Sequence, residues 1–104
     1  MVNIDNEDDV KPFSPTQVIH APNQITSIEQ LEVGKIYRDI HIEKEKASTG
    51  LKIRLVRIVN SEWAEMEYIK IGKGARFEIS LADCGIIPYK RGGWNPYNYL
   101  IPDD

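Results

Sequence analysis

Residues 51–60 read LKIRLVRIVN, and their pattern decides the fold class. Leu51, Ile53 and Leu55 recur with a period of two, the spacing at which side chains of an extended chain return to one face. Val56 and Ile58 continue with the opposite parity. An apolar face that changes side in mid-run predicts a strand with a bulge or sharp bend near residues 55–56. Working outward, residues 35–43 (KIYRDIHIE) alternate Ile36, Ile40 and Ile42 with Tyr37, Asp39, His41 and Glu43. That predicts a second strand with its isoleucine face inward, joined to the first by the polar loop EKEKASTG, residues 43–50.

Downstream, Asn60 and Ser61 read as a hairpin turn. Residues 62–71 fit a strand or, through Trp63 and Met66 at i, i+3, a helix; the preceding turn and the IKIG ending favour the strand. Lys73 and Gly74 read as another turn. Phe77, Ile79 and Leu81 then alternate inward against Arg76, Glu78 and Ser80. Residues 82–85 predict a tight turn, residues 86–89 a short strand, residues 90–96 a glycine-proline loop and residues 97–101 a last edge strand that Pro102 stops.

Before the strands, residues 26–34 (TSIEQLEVG) predict one helical turn. Ser27 and Gln30 have capping-box spacing, and Gly34 suits the positive φ that ends such a turn. Ile28, Leu31 and Val33 would close one end of a core. Residues 1–25 are poor in core formers and interrupted by Pro12, Pro15 and Pro22. They read as an extended or disordered arm whose Phe13, Val18 and Ile19 could dock on the body or on a partner. The expected division is this arm, then a β domain over residues 26–104.

The expected fold is mainly β: a small antiparallel barrel of four to six strands with one short helical turn. Residues 27–37 (SIEQLEVGKIY), the three meandering strands and residues 80–89 (SLADCGIIPY) together resemble an SH3-like small barrel over about residues 26–90. The resemblance lies in strand number and turn placement. The ALYDY-type run and paired-tryptophan strand of peptide-binding SH3 domains are absent, so the resemblance implies no binding residues, and the fold hosts many functions.

Charge is divided along the chain. Residues 1–34 hold one base, Lys11, against six acids; residues 35–102 hold twelve bases against eight acids; Asp103 and Asp104 close the chain. The overall net charge of −3 therefore hides a basic body between acidic ends. One cysteine, Cys84, provides neither a disulfide nor a zinc pair and fits a reducing, cytoplasmic setting. The acidic start MVNIDNEDDV lacks a basic n-region and apolar stretch, so no signal peptide is expected. No apolar run approaches the roughly 20 residues that cross a bilayer, so no membrane role is expected.

Catalytic chemistry is not expected. Cys84, His20 and His41 are the only Cys/His candidates. Asp83 beside Cys84 raises rather than lowers the thiol pKa, and Glu65, Glu67 and Glu78 read as a solvated strand face. No metal-ligand spacing occurs, and residues 71–74 lack the phosphate-loop pattern. No catalytic residue, metal, cofactor or small-molecule substrate is expected.

The richest segment is residues 89–99 (YKRGGWNPYNY), with four aromatic residues and two bases around flexible glycines. Aromatic and arginine side chains anchor protein interfaces. Tyr89, Arg91, Trp94, Tyr97, Tyr99 and Phe13 are the expected partner-binding residues, although the rings could equally plug an open barrel end. The first expectation is a non-enzymatic protein-binding module, an accessory or inhibitory factor (a viral one included) that occupies a surface of a partner. The second is a nucleic-acid binder using Lys52, Arg54, Arg57, Lys90 and Arg91, with Trp94 stacking on bases. The third is an oligomeric or virion component that pairs its C-terminal strand with a neighbour.

Overall fold

The computed structural model describes residues 13–44, 50–69 and 74–103. The protein is mainly β. Five strands, β1 (Ile36–His41), β2 (Leu51–Ile58), β3 (Trp63–Tyr68), β4 (Arg76–Ser80) and β5 (Asn98–Pro102), form one antiparallel sheet in the order β4-β3-β2-β1-β5. The first four make a meander, and β5 returns to pair with β1. No described pairing joins β4 to β5, so the sheet is open at both edges. Two 3₁₀ turns, Ile28–Gln30 and Ile42–Lys44, precede and follow β1.

The alternation of β2 holds. Ile53 and Leu55 are fully buried, and the β2–β3 register shifts between Leu55 and Arg57. This is the bulge that the parity change predicts. β3 is a strand, entered through a turn in which Asn60 Oδ1 accepts from the backbone N–H groups of Glu62 and Trp63 at 2.8 and 2.9 Å. Alternation then places Ala64 and Met66 inward. In the turn before β1, Gln30 Oε1 accepts from the N–H groups of Thr26 and Ser27, and Gly34 has φ +92°. The turn at Lys73 and the loop residues 45–49 lie outside the described residues.

Four local expectations are corrected. Pro102 does not stop the last strand; it is the final residue of β5 and pairs with Tyr37. In β1 it is Tyr37, not the isoleucine row, that sits fully buried among the core residues. Its ring fills the inner face, and its hydroxyl accepts from the Glu32 N–H at 2.9 Å. Ile40 is buried on the opposite face of β1, beside Tyr99 across the β1–β5 ladder. Val33 is exposed, while Ile28 and Leu31 pack on the core. Residues 86–89 form no strand. The chain turns tightly after β4, and the Ile86 N–H donates to the Leu81 carbonyl at 2.9 Å. Leu81, Cys84 and Ile86 thereby drop into the core beside Ile53, Leu55, Met66 and Leu100.

The segment from residue 13 to residue 25 is hydrogen-bonded to the body. Ser14 and Trp94 exchange two backbone bonds of 3.0 Å, Gln17 Nε2 donates to the Gly85 carbonyl at 2.7 Å, and the Ile25 N–H donates to Leu100 at 2.8 Å. Gln24 is buried, accepting from the His20 N–H at 2.6 Å, and the His20 ring stacks on Tyr99 at 5.3 Å. This segment therefore covers the β1–β5 face that holds Ile40 and Tyr99. Residues 1–12 lie outside the described residues.

Removing the buried Tyr37 hydroxyl leaves the Glu32 N–H without its acceptor. Tyr37→Phe should lower the unfolding free energy by about 1–3 kcal/mol. Urea denaturation checks this; an unchanged midpoint would show that the hydroxyl is dispensable.

Candidate functional site

The segment between β4 and β5 crosses the inner face and then leaves it, forming two open clefts beside β3 and β4. Its geometry starts at Tyr89. The Gly92 N–H donates to the Tyr89 carbonyl at 2.7 Å and the Tyr89 N–H to Gly93 at 3.1 Å, which places Lys90 and Arg91 at the tip of a tight turn. Gly93, with φ +84°, leaves room for Phe13: a Cβ there would lie 2.7 Å from the Phe13 Cβ. Phe13 packs edge-on against Tyr89 at 5.5 Å, and the Arg91 guanidinium lies 4.5 Å from the Phe13 ring centre and 5.9 Å from that of Tyr89. Such cation–π contacts hold a charge in place without neutralising it.

The Tyr89 hydroxyl donates to Asp83 Oδ1, with the Asn95 carbonyl oxygen 3.0 Å away. Burial and this bond to Asp83 push the Tyr89 phenol well above its usual range, so it stays protonated. Tyr89 is thereby fixed as one wall of the larger cleft, of about 560 Å³. Trp63, Ile87, Pro88, Lys90 and Arg91 also line it. Lys90 Nζ reaches Glu62 at 3.0 Å. Trp63, the first residue of β3, keeps 40 % of its surface exposed.

A smaller cleft, of about 260 Å³, also has Trp63 in its lining. Asp39, Glu78, Asp83, Tyr97 and Asn98 line it, and Ser80 is common to both clefts. Asp39 shares the inner face of β1 with Tyr37 by alternation. Asn98 Nδ2 donates to its Oδ1 at 2.6 Å. Burial raises the Asp39 pKa, against the lowering effects of Asn98 and His41. Cys84 lies beneath, and burial, with the Asp39 and Asp83 charges, pushes its thiol far up, so it is a thiol at neutral pH.

Of the residues expected to bind a partner, Phe13, Tyr89 and Arg91 come together beside the larger cleft, and Tyr97 lines the smaller one. Trp94 lies elsewhere, half-buried, lining a third cleft with Val18, His20 and Ile42. Tyr99 is buried under His20. Of the bases expected to meet nucleic acid, Lys52, Arg54 and Arg57 share the outer face of β2, apart from Lys90 and Arg91. Lys52 lies 3.7 Å from Asp103, Arg54 3.5 Å from Glu67 and Arg57 2.8 Å from Glu65, while Lys90 and Arg91 line the larger cleft. Each of the first three carries a carboxylate neighbour that weakens the outward field.

Trp63 and Asp39 escape a reading of the sequence by pattern. Trp63 has the parity of Glu65 and Glu67, the outer-face row, and an indole at the head of that row is its one detectable signal. Asp39 shares parity with Tyr37 and becomes conspicuous only once Tyr37 is known to point inward.

Among the described residues no group of three His, Cys, Asp or Glu side chains is placed to hold a metal, and no helix is long and apolar enough to cross a membrane. No family model matches the chain, and neither does any curated protein or solved structure.

The Asp39 shift has a definite sign. A carboxyl whose folded-state pKa lies above its ordinary value of 3.8 stabilises the fold below that value and loses the contribution as pH rises through the folded-state pKa. Asp39→Asn keeps an acceptor for Asn98 and removes the charge. Its Tm should exceed the wild type by a few degrees at pH 7, roughly the shift that about 1 kcal/mol gives a domain of this size. The gain should vanish as pH falls below 3.8. Thermal melts across pH check this; a variant less stable at pH 7 would show that the carboxylate supports the fold.

Proposed function

We propose that the protein is a non-enzymatic protein-binding module on an SH3-like barrel, and that it seats a large apolar side chain of a partner segment in the cleft between Trp63 and Tyr89. The observation that carries this reading is the exposed Trp63 sharing one cleft with the apolar residues Ile87 and Pro88 and the Tyr89 ring. Concave apolar surfaces with a few fixed polar groups are the usual form of a recognition site. Tyr89 is locked by Asp83, and Arg91 by two rings, so little order is lost on binding. The barrel reading is supported by the four-strand meander with β5 returned to β1. The non-enzymatic reading is supported by the buried, protonated Cys84 thiol. The role that follows is that of an accessory or inhibitory factor occupying a partner's surface.

The competing nucleic-acid reading rests on Lys52, Arg54 and Arg57, whose carboxylate neighbours leave a weaker anion-binding face. The two readings separate on salt and on substitution, because phosphate binding releases counterions and falls steeply with ionic strength.

Affinity capture with and without nuclease, followed by titration of the recovered partner, tests the proposal. A nuclease-resistant protein should bind, and Trp63→Ala should weaken it by about 30-fold or more, as loss of an interface anchor does. Pro88→Glu, at an exposed cleft residue, should act in the same direction without lowering Tm. Arg57→Glu should have little effect. Recovery of nucleic acid alone, with affinity lost in Arg57→Glu and retained in Trp63→Ala, would overturn the proposal.

A further inference from the structure

Asp39 is out of place for its environment. It lies on the inner face of β1, half-buried, beside the fully buried Tyr37 and Leu100 of the core. Carboxylates in such positions are ordinarily paired with a cation. Here its side-chain amide partner is Asn98, the His41 charge acts on it from two residues along β1, and the described residues lining its cleft include no lysine, arginine or histidine. They do include two further acids, Glu78 and Asp83, and two exposed rings. Trp63 is 40 % and Tyr97 54 % exposed. Carboxylates beside accessible aromatic faces are the chemistry that receives a cation: the ring quadrupoles attract it and the carboxylate balances its charge. An anion entering this cleft would meet three like charges.

We infer that the smaller cleft receives a cationic side chain of the partner, an ammonium or guanidinium group, held against Trp63 and Tyr97 with Asp39 as counter-ion. The inference rests on the reading of the Trp63 face as a partner-binding surface and specifies the partner's chemistry. Trp63 and Ser80 line both clefts. One extended segment can therefore place an apolar residue in one cleft and a basic residue in the other. A bound cation beside Asp39 then adds to the lowering effect of His41 and offsets the penalty of its burial. Discrimination follows as well, since a neutral or acidic residue at that position would leave the burial penalty of Asp39 in place.

The test uses the full chain and small probes read by NMR: n-butylammonium and n-butylguanidinium chloride, with sodium butyrate at matched ionic strength as the control. The Trp63 indole N–H and the Tyr97 and Asn98 amides should shift saturably with the cations, while the Trp94 indole, in the separate third cleft, stays put. Asp39→Asn should weaken cation binding by about 10- to 100-fold, the range for losing a charged hydrogen-bond partner. Its dispersed spectrum checks that it folds. Tighter binding of one cation names the side chain, lysine or arginine. Shifts that fail to saturate, that butyrate reproduces, or that survive Asp39→Asn would overturn the inference. Pro88→Glu keeps the two readings apart: it should abolish partner capture and leave cation binding intact. Lost capture in that variant, combined with no cation binding by the wild type, would overturn the smaller cleft alone.

Discussion

The inner face of this five-stranded sheet carries the main apolar core, and among its described residues the chain has no helix and no second sheet to lay on it. That constraint shapes everything else. The cover is made by the link between β4 and β5, which drops Leu81, Cys84 and Ile86 among Ile53, Leu55, Met66 and Leu100. A link of irregular backbone is narrower than a sheet, and its polar groups need partners. The tight turn after β4 and the carbonyl of Asp83, which accepts from the N–H groups of Tyr97 and Asn98, supply several of them. Where the link passes the β3–β4 edge it leaves two gaps that Trp63 helps to line. Those gaps are the two clefts. The site is thus a by-product of how a minimal β core is closed.

The chain before β1 solves the same problem on the other face. β1 and β5 expose Ile40 and Tyr99 outward, and residues 13–25 cover them through the His20–Tyr99 stack, the buried Gln24 and the Ser14–Trp94 bridge. Phe13 continues that contact to Tyr89 and Arg91. The segment that precedes the domain in sequence therefore also orients part of the lining of the larger cleft. In physical terms, Arg91 is held by rings from opposite ends of the described chain.

Much of this architecture is legible in the sequence where a side chain's position follows from local alternation. The β2 run, its bulge at residues 55–57, the Asn60 turn, β3 and the last strand all follow from period two and turn chemistry. What fails is the choice of face when both faces carry apolar residues. In β1 the isoleucines seem the natural inward set on hydrophobicity alone. Tyr37 wins the core because its ring fills more volume and its hydroxyl finds the Glu32 N–H at the core's edge. Residues 86–89 look like a strand because Ile86 and Ile87 are β-branched, yet no strand edge is available to them once the turn folds back on Leu81. The candidate site fared similarly. Composition concentrates interest on residues 89–99, and the structure distributes their rings among three clefts and the core. It then adds Trp63 and Asp39, which only long-range pairing brings near.

The distribution of charge separates the two faces of the molecule in kind. On the outer face Arg38, Lys52, Arg54 and Arg57 meet Asp103, Glu67 and Glu65 across strands. Exposed pairs of this sort contribute about 0–1 kcal/mol each. Their main consequence is an outer surface with a small net field. Around Trp63 the logic is reversed. Arg91 rests on two rings, and Asp39 is half-buried with no cation among the described residues that line its cleft. A sequence tuned only for stability would place an amide or an apolar residue at position 39. The carboxylate there carries the burial penalty that raises the Asp39 pKa, a cost that a neutral residue would avoid.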